Sequence, residues 1–129
     1  MEEINELSGS VIKAAIDVYK ELGPGLLESV YQQCLIYELK TQGLFVESEV
    51  MLPVRYKSLS FDAAYKMDIV VENRLVIELK AIEVINPVHK AQLLSYLKMS
   101  GLGLGLLRNF NVPKLVSGIK RIINNSASL

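Results

Sequence analysis

Residues 65–81, YKMDIVVENRLVIELKA, contain two apolar stretches separated by the polar triplet Glu72-Asn73-Arg74. Aliphatic and β-branched residues dominate both stretches, which is typical of strands, and the triplet is typical of a short hairpin loop. If the triplet forms the loop, counting outward along the two strands places Asp68 opposite Glu78, although a two-residue loop would shift this pairing by one residue. This stretch therefore predicts an antiparallel hairpin that carries two carboxylates in mid-sheet.

The two faces of this hairpin differ in character, because side chains alternate across a strand. The first predicted face is an apolar core face: Met67, Ile69, Val71, Leu75, Ile77 and Leu79. The second face gathers two carboxylates and two lysines: Lys66, Asp68, Val70, Val76, Glu78 and Lys80.

The rest of the chain divides into helices and strands by its apolar periodicity. Spacings of three and four predict helices over Ile4–Leu22 and Gly25–Gln42, and the Gly23-Pro24 pair separates them. Asn86-Pro87 suits the start of another helix, which runs to Ser100. The remaining predicted elements are strands over Phe45–Tyr56, Phe61–Val71, Leu75–Ala81 and Gly103–Leu107, a turn at Lys57–Ser60, a last helix over Pro113–Ile123 and a frayed tail over Asn124–Leu129.

This order of elements predicts an α/β fold in one domain spanning residues 1–129. Strands in series favour antiparallel pairing, and the helix between the third and fourth strands permits a parallel crossover. We therefore expect a mixed central sheet of about four strands flanked by helices.

Composition excludes several classes of protein. The formal net charge is zero, which argues against a strongly electrostatic nucleic-acid binder but leaves room for a locally basic groove. One cysteine and one histidine are too few for a structural zinc site, and Cys34 is predicted to pack in the core. No apolar stretch is long enough to span a bilayer, and the acidic N-terminus is unlike a signal peptide, so we expect a cytoplasmic protein.

Asp68, Glu78 and Lys80 form the most distinctive chemical pattern. Opposed carboxylates are destabilising in a sheet unless lysines or a divalent cation relieve them. Magnesium is held by one or two carboxylates with waters and phosphate, and it would activate water for attack on a phosphodiester. Lys80 could orient that water or stabilise developing negative charge. A structural salt-bridge cluster on a solvated face is the alternative.

Two further pairs of residues strengthen the metal hypothesis. Glu28 lies in the first turn of the second helix and precedes Tyr31 by three residues, although an acid at a helix N-terminus and a core tyrosine would explain both. Gln92 and Tyr96 are four residues apart and share a helix face, which a surface amide and a half-buried ring would also satisfy. His89, in the same helix, suits either a surface role or contact with substrate or metal.

Here the sequence resembles a known family. Gly25-x-x-Glu28-x-x-Tyr31 resembles the signature of the small GxxExxY proteins, a branch of the PD-(D/E)XK nuclease superfamily with a restriction-endonuclease-like core. The resemblance covers about residues 5 to 123. The remaining motifs follow in family order: Tyr65–Val70, Val76–Ala81, His89–Leu97 and Gly105–Phe110.

The resemblance implies a nuclease active site. Glu28, Asp68 and Glu78 would contact Mg²⁺ or Mn²⁺, Lys80 would be the catalytic lysine, and Gln92 and Tyr96 would position the substrate, the lysine or the water. The departures from the family pattern fall at the periphery: Lys66, Arg108 and Asn111.

Two functional hypotheses follow from this sequence. The first is a divalent-metal-dependent nuclease that cleaves DNA with a metal-activated water, in repair or defence. The second is a non-catalytic nucleic-acid-binding or assembly module that retains the fold. A homodimer is compatible with both hypotheses, RNA is a weaker alternative substrate, and Lys114, Lys120 and Arg121 would either meet phosphates or form a solvated helix face.

Overall fold

The computed structural model describes residues 2–82, 84–111 and 118–125 of the protein. Three helices and five strands lie within these ranges. The helices are α1 (Glu2–Leu22), α2 (Glu28–Thr41) and α3 (Pro87–Ser100). The strands are β1 (Val46–Tyr56), β2 (Leu59–Val71), β3 (Leu75–Lys80), β4 (Leu104–Asn109) and β5 (Ile119–Ile123).

The five strands form one mixed sheet in the order β1-β2-β3-β4-β5. Strands β3 and β4 are parallel and α3 connects them, whereas the other neighbouring pairs are antiparallel. The predicted hairpin is confirmed, since Val71 pairs with Leu75 across the Glu72–Arg74 loop. The α/β class and the mixed sheet flanked by helices are likewise as predicted.

Three predicted boundaries are wrong by a few residues. Helix α2 begins at Glu28 because Gly25 has a φ of 95°, a left-handed conformation that a helix does not contain. The first hairpin turn is shorter than predicted, because Leu59 and Ser60 already pair with β1. Strand β4 extends two residues further, to Asn109.

Strand β5 replaces part of the predicted last helix. Residues Ile119–Ile123 pair antiparallel with β4, from Ile119 opposite Arg108 to Ile123 opposite Leu104. Their β-branched side chains suit a strand, and the exposed edge of β4 supplies backbone partners that sequence periodicity does not register. The start of that predicted helix and Lys114 lie outside the described residues, while Lys120 is exposed on β5.

Helices cover both faces of the sheet, so the core has two parts. The α1/α2 core contains the apolar stripes of α1 and α2 together with Ile69, Ile77 and Leu106. The α3 core contains Leu93 and Leu97 of α3 packed against the opposite face. Cys34 is half-buried against the α1/α2 core, in line with its predicted packing role.

Helix α3 lies unusually close to β4 at Gly105. A Cβ atom built on this glycine would meet three Leu93 side-chain carbons at 3.0 Å. The absence of a side chain therefore sets how closely α3 approaches the sheet. This spacing matters because α3 carries Gln92 and Tyr96.

At one point along β1 and β2, the alternation of side chains between the two faces of the sheet is interrupted. Val46 packs in the α1/α2 core but Val50 packs against the α3 core, although a regular strand would put both on one face. Between them, Glu49 has a φ of 54°. Met67 joins the α3 core while Ile69 stays in the α1/α2 core, so the prediction that they share a face is wrong. Because β1 and β2 remain paired, both turn together at this irregularity.

Arg108 is completely buried in the sheet. Alternation along β4 puts its side chain on the same face as Leu104 and Leu106, towards the α1/α2 core. None of its guanidinium nitrogens has a hydrogen-bond partner among the residues described. Burial lowers the pKa of Arg108 to about 10. Its position in a central strand, rather than its polarity, decides this burial.

The sequence predicts that the chain frays from Asn124 onward, but this prediction is wrong for Asn124 itself. This residue is 3% exposed, and its side-chain amide donates hydrogen bonds to the carbonyls of Leu97 and Leu102 at 3.3 and 3.1 Å. Residues 126–129 lie outside the described ranges. None of the helices described here combines the length and hydrophobicity that crossing a membrane requires.

Candidate metal centre

The two central carboxylates interlock between β2 and β3. The last paired residues of the hairpin are Ile69 and Ile77, and Asp68 and Glu78 come directly next. The Asp68 N–H donates to Glu78 Oε1 at 3.1 Å, and the Leu79 N–H donates to Asp68 Oδ2 at 2.9 Å. Each carboxylate is thus held by the backbone of the opposite strand, close to the predicted pairing.

The backbone of Asp68 is diverted from ordinary sheet pairing. Its N–H bonds to the Glu78 carboxylate, and its carbonyl accepts a hydrogen bond from Gln32 Nε2 of α2 at 3.1 Å. Asp68 pairs with no residue in the registers of β1–β2 or β2–β3. The strands therefore part at this point, which makes room for side chains and solvent in mid-sheet.

Burial dominates the electrostatics of this pair. Desolvation first, and then the charge of the neighbouring Asp68, raise the pKa of Glu78 to about 8 against the opposing effects of the Asp68 N–H and Lys80. The pKa of Asp68 is also raised, first by desolvation and then by Glu49 and Glu28, while the Leu79 N–H and Lys80 oppose the rise. The folded chain thus compensates the charges of the ionised pair only in part.

Glu28 reaches the same region from the N-terminus of α2. Its Oε2 accepts a hydrogen bond from the Ala81 N–H at 3.1 Å, at the end of β3. The following residue, Ile82, is held by the Asn109 side chain, which accepts from its N–H at 3.2 Å and donates to its carbonyl at 2.8 Å. Asn109 therefore fixes the segment after β3, whose Ala81 N–H binds Glu28.

Tyr31 holds the loop that presents Glu28. Its hydroxyl donates to the Gly23 carbonyl at 2.6 Å and accepts from the Leu26 N–H at 3.0 Å. Its ring stacks on Phe110 with centroids 4.3 Å apart. The side chain is completely buried, so Tyr31 is a structural residue whose function is to shape the α1–α2 loop.

A cleft of about 720 Å³ opens beside Asp68. We call it the carboxylate cleft. Glu78 and Lys80 do not line it, and Glu78 reaches it only through its hydrogen bond to Asp68. The lining residues are Glu28, Ser29, Gln32, Glu49, Met51, Tyr65, Lys66, Asp68 and Tyr96.

A second concavity of about 480 Å³ adjoins this cleft. We call it the side pocket, and it shares Tyr65 and Tyr96 with the carboxylate cleft. Gln92 lines the side pocket and not the cleft, so the structure separates it from the predicted acid cluster. The lining residues are Val54, Tyr65, Gln92, Ser95, Tyr96, Lys98 and Met99.

Two other features lie away from this chemistry. His89 completes the N-terminal cap of α3, where its Nδ1 accepts from the Asn86 N–H at 3.1 Å. The most voluminous concavity described, about 790 Å³, is an open groove between α1 and α2 that includes Cys34. It shares no residue with the carboxylate cleft, so its size does not make it the candidate centre.

Glu49 is a site residue that sequence reasoning missed. Counting from the first turn, where Tyr56 pairs with Leu59, would place Glu49 opposite Lys66. A register shift near Pro53 instead brings Glu49 level with Asp68, between the pairs formed by its two neighbours. It also forms a 3.5 Å salt bridge with Lys66. Only knowledge of that irregularity could have revealed its place.

The donor set fits a hard divalent cation. Asp68 and Glu78 offer carboxylate oxygens, Glu28 and Glu49 lie close enough to perturb Asp68, and magnesium needs only one or two protein carboxylates with water and phosphate. The described residues contain no ready-made group of three acidic, histidine or cysteine ligands. The predicted three-ligand set of Glu28, Asp68 and Glu78 is thus not assembled among these residues, and Asp68 and Glu78 are the pair that the backbone holds together.

Comparison with protein families matches residues 5–122 to a model of the PD-(D/E)XK nuclease superfamily. Comparison with curated proteins and comparison with solved structures each found no match. The matched range includes β2 and β3, which carry Asp68 and Glu78, as well as α3 and every residue named in the lining of the carboxylate cleft.

Proposed function

The chain belongs to the PD-(D/E)XK nuclease superfamily, and on that premise we propose that it is a divalent-metal-dependent nuclease that hydrolyses phosphodiester bonds of DNA. The observation that carries this proposal is the buried Asp68–Glu78 pair. Desolvation and mutual repulsion raise the pKa of Glu78 to about 8, so the ionised pair needs a cation. A hard metal ion provides that charge and is the usual cofactor for phosphodiester hydrolysis.

The position of each of these side chains supports the role that we propose for it. Asp68 and Glu78, with Glu28 at the edge of the cleft, would hold Mg²⁺ or Mn²⁺. The bound ion would supply Lewis acidity towards the phosphodiester and lower the pKa of the attacking water. Lys80 opposes the raised pKa values of both carboxylates, which places its charge near them and suits it to steady developing negative charge.

Tyr96 and Gln92 would position the substrate. Tyr96 is buried at the boundary between the carboxylate cleft and the side pocket, and desolvation followed by the charges of Glu78 and Asp68 raises its pKa. Its hydroxyl therefore stays protonated and can donate a hydrogen bond. Gln92, on the exposed side of α3, would act from the side pocket.

Cleavage assays test the nuclease proposal directly. Linear and circular DNA, single- and double-stranded, and matched RNA would be incubated with Mg²⁺ or Mn²⁺. We expect cutting by the wild type and at least a hundredfold loss in Lys80→Ala and Glu78→Gln, in line with the loss of a transition-state charge or a metal ligand. Lys40→Ala is the matched control, because Lys40 is exposed on α2 and lines neither concavity.

The alternative is a binding module that retains the fold. It would be favoured if neither metal produced cutting and Mn²⁺ left the unfolding temperature unchanged, whereas persistent cutting in both variants would exclude the assigned residues. Zero net charge motivates this alternative, because little phosphate attraction is built into the chain as a whole.

Several finer properties remain predictions within this proposal. They include preference for DNA over RNA, a role in repair or defence, a cytoplasmic location and a homodimer. The substrate arms of the cleavage assay address the first, and sedimentation of the purified chain addresses the last.

A further inference from the structure

We propose that the side pocket binds an unpaired base of the substrate, with Tyr65 as the stacking surface, so that the preferred substrate is single-stranded nucleic acid or a frayed end. This inference rests on the proposed function, because it assigns the substrate class of the same site. The proposed stacking residue, Tyr65, has no role in the nuclease assignment above.

Tyr65 stands at the boundary between the two concavities. It is 47% exposed, and its ring centroid lies 5.8 Å from that of Tyr96 at an angle of 45°. Tyr96 is buried and contacts it at this tilted angle. Tyr65 is thus an aromatic side chain partly open to solvent beside the candidate metal centre, on a strand whose pairing with Leu52 fixes its position.

The chemistry of the side pocket differs from that of the cleft. The cleft contains Glu28, Glu49 and Asp68, whereas none of the described residues that line the side pocket is a carboxylate. The side pocket instead combines apolar Val54 and Met99 with the amide of Gln92 and the hydroxyl of Ser95. Lys98 contributes a positive charge to this lining. A nucleobase has an apolar face and a hydrogen-bonding edge, and a lysine suits the adjoining phosphate.

The size and position of the pocket also suit a base. Its volume of about 480 Å³ lies within the range of small-molecule sites. It shares a wall with the carboxylate cleft, so a strand with one base in the pocket would pass its backbone along the acids. In the interior of a duplex both faces of a base are covered by its neighbours, so an interior paired base cannot stack on Tyr65, whereas an unpaired base can.

The charge balance of the chain favours stacking as a source of affinity. With no net charge, the chain gains little from releasing counterions on binding. Base–aromatic stacking tolerates any sequence and does not require a basic groove. We therefore expect binding that depends strongly on Tyr65 and only weakly on salt.

Binding without catalysis tests this inference. The probe is a labelled oligothymidylate of about twelve nucleotides, within the span that single-strand-binding surfaces cover. Its affinity would be measured by fluorescence anisotropy in EDTA, beside the matching duplex with oligoadenylate and an oligouridylate. We expect Tyr65→Ala to weaken single-strand binding about tenfold or more, and Tyr65→Phe to retain most of it. The two single strands distinguish DNA from RNA.

Matched variants separate stacking from general damage. Tyr56→Ala removes a tyrosine that is 61% exposed near the turn of the same β1–β2 hairpin, outside both concavities, and should bind like the wild type. Ser95→Glu adds an anionic side chain to the pocket from an exposed helix position and should weaken binding even if Tyr65→Ala does not fold. An abasic oligomer of the same length should remove the difference between wild type and Tyr65→Ala.

The outcomes are separable from those of the cleavage assay. The inference is overturned if Tyr65→Ala and Ser95→Glu bind the single strand like the wild type, or if the duplex binds as tightly with the same dependence on Tyr65. Tyr65-dependent binding without any metal-dependent cutting would support the inference and contradict the nuclease proposal. Cutting with no effect of Tyr65 on binding would do the reverse.

Discussion

The carboxylates of Asp68 and Glu78 each accept a hydrogen bond from the backbone of the other's strand. The Asp68 N–H donates to Glu78 Oε1 at 3.1 Å, and the N–H of Leu79, next to Glu78, donates to Asp68 Oδ2 at 2.9 Å. This arrangement holds two acids together at low exposure. No salt bridge within the described part of the chain neutralises either one. The unfavourable charge is therefore a property of the folded state that experiments can detect.

The pH dependence of stability should reveal this charge. The pKa of Glu78 rises from 4.5 to about 8 on folding, so the native state binds the proton more tightly than the unfolded state. Stability contributed by the protonated acid is present below the unfolded value and is lost as pH rises from 4.5 towards about 8. Denaturant midpoints in EDTA should fall across this window in the wild type and fall much less in Glu78→Gln.

The control for this experiment is Glu47→Gln, which alters an exposed acid of β1 and should keep the wild-type slope. Parallel pH profiles for wild type and Glu78→Gln would show that Glu78 has an ordinary pKa, and would remove the main support for a cation site.

Binding of Mn²⁺ should restore the stability that ionisation of Glu78 removes. Because a metal ion competes with protons for carboxylates, stabilisation by Mn²⁺ should be larger near pH 8 than near pH 4.5, the two pKa values of Glu78. At a free concentration about a hundred times the Kd, the expected gain is about 2.7 kcal/mol. Thermal melts with and without Mn²⁺ measure it, and Asp68→Asn should show a smaller gain. Equal gains at both pH values would argue against binding at these acids.

Tyr31→Phe should loosen the loop that carries Glu28. The change removes the hydroxyl bonds to Gly23 and Leu26 but leaves the stack on Phe110. Two hydrogen bonds at about 1 kcal/mol each predict a loss of about 1–2 kcal/mol in the free energy of unfolding. Tyr37→Phe, at an exposed tyrosine of the same helix, should cost almost nothing. Equal denaturant midpoints for the two variants would show that the Tyr31 hydroxyl has no such role.

Arg108→Met should stabilise the protein. The guanidinium is buried without a hydrogen-bond partner among the described residues, and burial depresses its pKa to about 10. Replacing a poorly compensated buried charge with an apolar side chain of similar length is expected to raise the free energy of unfolding by about 1–4 kcal/mol. Urea unfolding of Arg108→Met and of the exposed control Arg55→Met measures the difference. Loss of stability in Arg108→Met alone would mean that the charge is compensated.

Gly105→Ala should push α3 away from the sheet. The new Cβ would lie 3.0 Å from the Leu93 side chain, and overpacking of this kind costs about 1–3 kcal/mol. In a double-mutant cycle, Leu93→Ala combined with Gly105→Ala should destabilise less than the sum of the single changes. Gly9→Ala in α1 is the contrasting control, because no atom lies within 4 Å of its Cβ and the better helix former should stabilise. Additive changes in the cycle would show that Gly105 does not limit the approach of α3.

Prediction from the sequence succeeded where neighbours along the chain decide the structure. The Glu72–Arg74 loop, the Asn86 cap of α3 and the stripe of α1 depend on residues a few positions apart. The placement of Asp68 beside Glu78 follows from the same local count, since each lies three residues from the Val71–Leu75 pair that flanks the loop.

Prediction failed where a distant segment supplies the partner. Residues Ile119–Ile123 carry a pattern compatible with a helix, but the free edge of β4 recruits them as β5. Met67 was misplaced, and the burial of Arg108 went unpredicted, because the burial of a strand residue depends on what packs on each face. Glu49 escaped notice because a register shift near Pro53 moves it from a position opposite Lys66 to one level with Asp68.

The sequence by itself thus determined the three described helices, the first four strands and the α/β class, and it singled out the central acids and lysine as candidate site residues. Only the tertiary structure decided that Asp68 leaves its strand ladders, that Glu78 is buried enough to raise its pKa to about 8, and that Tyr65 borders two concavities. The physical reason is that hydrogen-bonded turns and helix periodicity are encoded locally. Desolvation and the opening of a sheet arise instead only when separate segments pack together.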